Sequence, residues 1–375
     1  MARNIGARVE SLRKRRTGLD RIGTLAQDAQ REVLAKSLIT EQWQRRTNKQ
    51  YTQYTLGAMQ EVGPDYTRIS ITTAERVANQ LSNNLTPLGI AIDFRLQGSV
   101  PLNVHIRGVS DVDLLNLDNG FFTYERTGIR SQFGLYRNPS EKSSLGVLLT
   151  LRQASEKVLK DKFPAAVVDT SGGKAIKVSG GSLARSVDVV PSHWHDTEDY
   201  QASQNERDRS VIILDKKTLT THDNLPFLHM ARIEAVDLAV AGSLKKAIRL
   251  CKNVKSDAED DGQTIPLPSF DIASTMYYAD RQALIRGQVY DLAVLAETQR
   301  HFDELARNHE RAKQLLVPDG SRRIFNTDQK LRGLNRLSAE LDDLTLEVAK
   351  EHAGLLAPVP NLSNSRSLLS NYYLP

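Results

Sequence analysis

The sequence predicts an α+β protein with a mixed β-sheet core, a helical C-terminal lobe and a long N-terminal helix. Three observations carry this prediction. Strand-like runs cluster between about residues 91 and 215, whereas apolar residues recur at helical spacing from Asp223 onward. The first 60 residues also show helical spacing among many charges. We therefore expect bracing helices over residues 1–60, a sheet-containing core over 61–215, and a helical lobe with a flexible tail over 216–375.

The composition is that of an ordinary globular protein, with 40% hydrophobic and 25% charged residues. Lysine and arginine exceed aspartate and glutamate by 50 to 45, which suits an anionic substrate but falls short of a dedicated nucleic-acid-binding arm. The single cysteine, Cys251, excludes an intrachain disulfide and a cysteine-rich zinc finger. Because no apolar stretch has the length of a signal sequence or a membrane span, we expect a cytoplasmic protein without membrane contact.

The N-terminal segment, residues 6–60, is predicted to form one or two amphipathic helices. Its apolar positions at helical spacing are Ile22, Leu25, Ala26, Ala29, Val33 and Leu34. The basic run at residues 13–16 has two interpretations, a nucleic-acid contact or a solvated helix face. Residues 70–85 begin with Ser and Thr and end in Asn-rich sequence, as a capped helix does, and lead into a strand at 91–97.

The central segment has the pattern of a sheet with a helix packed on it. DVDLLNL and FFTYE are predicted strands, and residues 143–163 form an amphipathic helix. Three short strands follow in AAVVDTS, KAIKVS and RSVDVVP, separated by two Gly-Gly turns. Beyond Asp223 the prediction is helical. An acidic stretch at 256–263 is interpreted as a solvated connection, and residues from Ala357 onward as a loosely held tail.

Asp111 and Asp113 predict half of a metal site. On a strand, residues two apart point the same way, so these carboxylates lie on one face, about 7 Å apart at Cα. Two ionised carboxylates this close repel each other unless a cation lies between them. Mg²⁺ is commonly held by one or two carboxylates together with substrate phosphates.

Gly98 and Ser99 predict the binding site for those phosphates. Glycine allows a tight turn with close backbone approach, and free amides with a hydroxyl at a helix start bind anions. We therefore expect the strand at 91–97 to turn at Gly98 into a short helix near residues 100–106, so that triphosphate and metal share one end of the sheet.

Asp188 is predicted to supply a third carboxylate. It lies within a run of valines, where an isolated charge is costly to bury without compensation, and a metal ion offers that compensation. A zinc site at His193 and His195 is the competing interpretation nearby. No cysteine or further carboxylate cluster completes four ligands there, and strand alternation explains the pair.

Gly98-Ser99, Asp111-Val-Asp113 and Asp188 on a later strand together resemble the nucleotidyltransferase superfamily with the DNA polymerase β catalytic fold. The motifs LQGS…GVSDVDLL, SVDVVP and the helical IRLCKNVK…PSFDIAS are most similar to the bacterial cGAS/DncV-like nucleotidyltransferases, the CD-NTases of anti-phage CBASS systems. The resemblance covers about residues 60–290 and depends on the combination, since a lone GS or DxD is weak evidence.

The resemblance implies that Asp111, Asp113 and Asp188 are catalytic and hold two Mg²⁺ ions, with Mn²⁺ as an alternative ion. In that family a hydroxyl of one bound nucleotide attacks the α-phosphorus of a second, and pyrophosphate leaves. Asp188 would be the proton acceptor.

The resemblance also implies two further nucleotide-binding residues beside Gly98 and Ser99. Lys252 in RLCKNVK and Ser269 in PSFDI match the lysine and serine that contact the donor triphosphate in these enzymes. Competing interpretations are a solvated lysine at position 252 and a helix N-cap at Pro268-Ser269.

The chain is thus expected to be a metal-dependent, template-independent nucleotidyltransferase that makes a cyclic di- or trinucleotide second messenger from ATP, GTP or other nucleoside triphosphates in anti-phage defence. The implied partners are nucleoside triphosphates, CBASS regulatory proteins and a downstream effector that binds the product, with no requirement for nucleic acid. The site itself specifies only nucleotidyl transfer to a hydroxyl. Linear transfer to RNA, a small molecule or a protein, and a non-catalytic nucleotide or RNA sensor with the same fold, are the alternatives.

Overall fold

The computed structural model describes residues 4–19, 30–31, 34, 40–106, 110–137, 139–353 and 361–374. The chain forms two compact units. We call residues 63–102 with 110–231 the sheet unit, and residues 1–62 with 103–109 and 232–375 the helical unit. The N-terminal helices therefore share a unit with the C-terminal helices, although the chain between them builds the sheet.

The secondary structure of the described residues is as follows. The strands are β1 (Ile92–Gln97), β2 (Val112–Tyr124), β3 (Val167–Asp169), β4 (Ile176–Ser179), β5 (Val187–Asp196), β6 (Ser210–Asp215) and β7 (Thr220–Asn224). The helices up to β6 are α1 (Ile5–Thr17), α2 (Gln42–Arg45), α3 (Gln50–Met59), α4 (Pro64–Leu85), α5 (Ile129–Gln132), α6 (Ser144–Lys162) and α7 (Glu198–Ser203). Those that follow β7 are α8 (Pro226–Ala239), α9 (Ser243–Asp260), α10 (Ser269–Met276), α11 (Arg281–Ile285), α12 (Asp291–Arg307), α13 (His309–Gln314), α14 (Asp328–His352) and α15 (Leu362–Leu369).

The seven strands belong to one mixed sheet in the sheet unit. The strand order is β1-β2-β5-β4-β3, and β6 pairs with the second half of β5 and with β7. β2 and β5 run parallel, while the other pairs are antiparallel. The mixed sheet is therefore confirmed, and strands lie at the three successive predicted positions, although the third, β5, is ten residues long and not short. DVDLLNL and FFTYE form one long strand instead of two, with a register shift between Asp118 and Phe122.

The main core of the sheet unit lies between one face of the sheet and helices α4 and α6. Val112 and Leu114 of β2 and Val187 and Val189 of β5 belong to it and are at most 2% exposed. Burying a side chain of this kind stabilises the fold by about 1.5–3 kcal/mol relative to leaving it exposed. Because side chains alternate along a strand, the residues between these apolar ones face the opposite side of the sheet.

Helix α4 begins earlier than the sequence pattern suggests. The expected start lay near Ser70, but the helix begins at Pro64, after Gly63 as N-cap. Proline suits the first helical turn, because its missing N–H would have no partner there. Ser70 lies within the helix, and its hydroxyl donates to the carbonyl of Tyr66 at 2.9 Å.

A buried ion-pair cluster fixes α1 to α9 within the helical unit. Arg15 is 6% exposed, and its guanidinium donates to the Asp257 carboxylate. The same carboxylate accepts from the Tyr54 hydroxyl at 2.5 Å. The acidic stretch at 256–263 is therefore helical through Asp260 instead of a solvated connection, because Asp257 has buried partners. Arg15 is therefore neither a nucleic-acid contact nor part of a solvated helix face, the two interpretations of the basic run at residues 13–16.

The C-terminal residues also differ from expectation. Helix α15 has a fully buried Leu369, and its Arg366 forms an ion pair with Asp303 of α12. The carbonyl of Leu374 accepts from Arg46 at 2.9 Å. The prediction of a loosely held tail is therefore wrong for residues 361–374.

The predictions of N-terminal amphipathic helices and of no membrane-spanning segment have different outcomes. Of the apolar positions that predict the N-terminal helices, five lie outside the described residues: Ile22, Leu25, Ala26, Ala29 and Val33. Among the helices that the structure describes, none combines the length and the apolarity needed to cross a bilayer.

Candidate active site

Asp113 and Asp188 lie side by side at one end of the sheet. The parallel pairing of β2 with β5 places the two residues opposite each other in register. Neighbouring strands are about 4.8 Å apart, so the two Cα atoms have about that separation. Two carboxylates that are distant in the chain are therefore adjacent in the fold.

Next to these carboxylates on β2 and β5, the same face of the sheet carries apolar side chains. Two residues further along their strands stand Leu115 and Val190, which belong with Trp194 to a second buried cluster. Since alternate residues share a face, Asp113 and Asp188 lie on the same face as these apolar residues and next to them along the strands. The two carboxylates lie at the end of β2 and β5 that adjoins the turn after β1.

Gly98 follows β1 and packs against Asp113. The antiparallel pairing of β1 with β2 sets Gln97 opposite Asp113. Gly98 has a φ of +79°, and a Cβ atom added there would lie 2.4 Å from Asp113 Oδ2. A side chain would therefore strain the backbone and displace the carboxylate. Both the left-handed backbone and the close contact with Asp113 therefore require glycine at this position.

The chain after Gly98 forms successive turns through Asn103, so the short helix expected near residues 100–106 is wrong. Pro101 disfavours the helical conformation for Val100, and Asn103 adopts a left-handed φ of +55°. Ser99 is half-buried in the first of these turns. The predicted turn at Gly98 is present.

Asp111 lies immediately before β2, and a lysine that the sequence did not single out holds its carboxylate. Nζ of Lys177 donates to Asp111 Oδ2 at 2.5 Å. Lys177 lies on β4 in register with Asp188. Its neighbours Ile176 and Val178 are buried, so alternation alone predicts that Lys177 faces away from the main core. The sequence does not reveal which residue of β5 it meets.

Asp188 has an incomplete set of partners. Its Oδ1 is buried and has no hydrogen-bond partner. Burial raises the pKa of the Asp188 carboxyl, the negative charge of Asp111 raises it further, and the positive charge of Lys177 opposes them. A buried polar atom without a partner costs about 1–3 kcal/mol, and more when charged. A cation beside Asp188 would offset this cost.

Within the described ranges, no three His, Cys, Asp or Glu side chains are already arranged as a metal-binding group. The two histidines considered for zinc have other partners. His193 Nε2 accepts from the Ser144 hydroxyl at 2.5 Å, and His195 Nδ1 lies 2.8 Å from Thr123 Oγ1. The structure therefore gives no support to a zinc site on β5.

Lys252 belongs to the helical unit, whereas the three aspartates belong to the sheet unit. It lies on α9 and is 5% exposed, so the interpretation as a solvated lysine is wrong. Its Nζ donates to the carbonyl of Val104 at 2.8 Å. The ammonium thus contacts the segment that follows the turns after Gly98.

Ser269 is the first residue of α10 and is exposed. The N-cap of this helix is Pro268, and no side chain makes a capping hydrogen bond. The helix thus begins at Pro268-Ser269, as the N-cap interpretation expected, but the serine hydroxyl does not cap it. That hydroxyl is accessible at the start of the helix.

Comparisons with known proteins point to one family of nucleotidyltransferases. A profile of the cGAS/DncV-like nucleotidyltransferase C-terminal helical domain matches residues 231–344. The chain is 40% identical over 360 residues to the cyclic dinucleotide synthase CdnE of Yersinia aleksiciae, and the match covers 93% of each chain.

Solved structures share the fold over nearly the whole chain. The STING-associated CdnE c-di-GMP synthase from Capnocytophaga granulosa matches with a TM-score of 0.69 and 25% identity, over 91% of this chain and 97% of that one. A STING-associated CdnE c-di-GMP synthase from Flavobacteriaceae sp. matches with a TM-score of 0.70 and 22% identity, over 92% and 98%. The latter likeness supports the fold alone.

Proposed function

The chain belongs to the cGAS/DncV-like nucleotidyltransferases, the CD-NTases of anti-phage CBASS systems, and from this premise we propose that it joins two nucleoside triphosphates into a cyclic dinucleotide. It is a nucleotidyltransferase with a polymerase β-like core and a helical C-terminal domain, as the sequence predicted. The observation that carries the proposal is the register of β2 and β5, which sets Asp113 beside Asp188 next to Gly98. Since the Capnocytophaga granulosa relative is a c-di-GMP synthase, GTP is the first substrate to test.

Each round of the proposed reaction makes one phosphodiester bond. A ribose hydroxyl oxygen of one nucleotide attacks the α-phosphorus of another, and the bond from that phosphorus to the bridging oxygen of pyrophosphate breaks. Pyrophosphate leaves, and Asp188 is the group proposed to accept the hydroxyl proton. A second round within the linear dinucleotide closes the ring. The protein contributes mainly by positioning the reactants and stabilising charge.

Asp111, Asp113 and Asp188 are the residues proposed to hold two Mg²⁺ ions, for which Mn²⁺ can substitute. Carboxylate oxygens suit these hard cations, and the buried, unpartnered Oδ1 of Asp188 is an atom that a cation would satisfy. When bound, the ions lower the pKa of the attacking hydroxyl and neutralise charge on the phosphate oxygens.

Gly98 and Ser99 are proposed to bind the triphosphate. Without a side chain at position 98, phosphate oxygens can approach the backbone amides of the turn beside Asp113, and the Ser99 hydroxyl adds a donor. Lys252 and Ser269 are proposed as further contacts of the donor triphosphate. Lys252 would have to exchange its bond to the Val104 carbonyl for a phosphate oxygen.

The proposed setting is anti-phage defence in the cytoplasm. Nucleoside triphosphates are the substrates, and CBASS regulatory proteins and an effector that binds the product are the proposed partners. Nucleic acid is not required in this scheme. In the basic N-terminal run, the charge of Arg15 is already paired with Asp257.

The proposal is tested by incubating the purified protein with each nucleoside triphosphate, singly and in pairs, with Mg²⁺ or Mn²⁺. Products are treated with phosphatase and identified by mass. We expect a phosphatase-resistant product with the mass of a cyclic dinucleotide. A phosphatase-sensitive product would instead show linear transfer, and nucleotide binding without any turnover would show a sensor.

The assigned carboxylates are tested with Asp113→Asn and Asp188→Asn. Each variant is expected to lower the rate of product formation by about 100- to 1,000-fold, because each removes a carboxylate proposed to hold the cations that stabilise charge on the reacting phosphate. Asp118→Asn, the same change further along β2, is the matched control and should keep most activity. If all three variants lose activity equally, the loss comes from the strand and not from the site.

A further inference from the structure

We propose that Lys177 is an internal counter-ion of the catalytic carboxylates, which a divalent cation must displace when it binds together with a nucleotide. The inference rests on the proposed function insofar as it takes Asp111, Asp113 and Asp188 as the metal ligands. It adds a positioning role for a residue to which the family resemblance assigned none.

Lys177 reaches across a neighbouring strand to make its contact. It lies on β4 and is in register with Asp188 on β5, whereas Asp111 precedes β2 on the far side of β5. The lysine stem therefore passes Asp188 before Nζ meets Asp111 Oδ2 at 2.5 Å. Its positive charge acts on Asp188 as well. The charge of one ammonium group thus acts on two carboxylates, Asp188 on β5 and Asp111 just before β2.

Lys177 leaves part of the site unsatisfied. Its hydrogen bond goes to Asp111, while Asp188 Oδ1 is buried without a partner. A carboxylate oxygen in that state favours the approach of a second positive charge. The single positive charge of Lys177 reduces the repulsion between the carboxylates. It does not cancel their total negative charge, so a divalent cation is still attracted to the site.

The ion pair between Lys177 and Asp111 is weak enough for a metal ion to replace the ammonium group. The two side chains are 44% and 30% exposed, and partly exposed ion pairs of this kind stabilise a protein only slightly. The flexible four-carbon stem lets the ammonium move without a change of backbone. Water can solvate the lysine once a metal has taken its place.

A cation carried by a triphosphate displaces Lys177 more readily than a bare cation does. A bare Mg²⁺ ion must lose tightly held water and meets the positive charge of the ammonium. A cation bound to a triphosphate brings its own phosphate ligands, and the net negative charge of the complex attracts the released ammonium. Lys177 thereby lowers the affinity for bare metal more than the affinity for the metal–nucleotide complex.

The test measures Mn²⁺ binding without nucleotide, from the electron paramagnetic resonance signal of free Mn²⁺. Lys177→Met keeps the stem and removes the charge, and we expect it to bind Mn²⁺ about tenfold more tightly than the natural protein. Lys177→Arg keeps a cation and should stay within about threefold of the natural protein. Lys174→Met makes the same charge change at an exposed position just before β4, and should have no effect beyond about twofold.

A non-hydrolysable GTP analogue supplies the second measurement. It should raise the Mn²⁺ affinity of the natural protein more than that of Lys177→Met. Unchanged or weaker Mn²⁺ binding by Lys177→Met, an equal gain in Lys174→Met, or an equal effect of the analogue on both proteins would overturn the counter-ion role. Circular dichroism confirms folding, and Lys177→Gln replaces the methionine variant if that one is unfolded.

These outcomes separate the two proposals. Tighter Mn²⁺ binding by Lys177→Met without any nucleotide product from the natural protein would refute the proposed function and leave the counter-ion role standing. Product formation by the natural protein together with unaltered Mn²⁺ binding by the variant would refute the counter-ion role alone.

Discussion

At the scale of the single residue, Gly98 is where backbone conformation and chemistry constrain each other. Gly98→Ala places a side chain in left-handed backbone and brings its Cβ to 2.4 Å from Asp113 Oδ2. The backbone strain costs about 1–2 kcal/mol, and the carboxylate must move. We expect urea unfolding to show that loss of stability. The rate of product formation should fall about 100-fold, because small misplacements of catalytic groups have effects of that size.

Gly89→Ala is the matched control for this substitution. Gly89 precedes β1, has a φ of +77°, and a Cβ added there would meet nothing within 4 Å. This variant should lose a similar amount of stability while keeping most of its activity. Equal loss of activity in both variants would show that the contact with Asp113 is not the cause.

Single residues also show how far sequence reasoning reaches. The turn at Gly98 follows from local rules of glycine conformation, and strand alternation places Asp113 on the opposite face from Val112 and Leu114. Lys177 could not be found in this way, because its role depends on the register of β4 against β5. The burial of Lys252 was equally hidden, since its partner Val104 lies 148 positions away in the chain.

At the scale of the secondary-structure element, the pair of Arg15 and Asp257 anchors α1 to α9. Asp257→Ala leaves a guanidinium that is 6% exposed without its main partner. We expect urea unfolding to show a loss of about 3–5 kcal/mol, as is usual when one member of a buried pair is removed. The double variant Arg15→Met with Asp257→Leu should recover part of this loss, because the unpaired guanidinium is removed while the Tyr54 hydroxyl still lacks its acceptor.

Asp161→Ala provides the comparison on a helix surface. It breaks the pair of Lys157 and Asp161 on α6, whose side chains are 78% and 54% exposed. The expected loss is at most about 0.5 kcal/mol. A loss as large as that of Asp257→Ala would contradict the explanation by burial.

The elements themselves were predictable where one face is apolar over several turns or where strand residues alternate. The boundaries were not. The stretch at 256–263 reads as a loop because of its charges, yet it is helical through Asp260 because Asp257 meets Arg15 at a distance of 242 positions in the chain. Tertiary partners of this kind override local composition.

At the scale of the whole molecule, each unit contains a histidine held neutral by burial. The pKa of His193 in the sheet unit and that of His301 in the helical unit are each lowered to about 4, chiefly by loss of solvation. In the unfolded chain a histidine titrates near pH 6.5. Between about pH 6.5 and pH 4 the unfolded chain therefore binds more protons, and the folded protein loses stability as the pH falls.

Urea unfolding at pH 7 and pH 5 measures this effect. We expect lower stability at pH 5, and His193→Gln should remove about 2 kcal/mol of the difference between the two pH values. His222→Gln, at an exposed position of β7, is the control. If the dependence on pH is the same in both variants, His193 is not responsible for it.

The parallel pairing of β2 with β5 has a consequence for how the protein acquires activity as it folds. The two aspartates meet only after strands far apart in the chain have found each other, and a slip of one residue would turn one of them to the wrong side. Such long-range pairing is slow compared with helix formation. During renaturation, synthesis should therefore return later than the helical signal, which makes enzymatic activity a reporter of correct strand alignment.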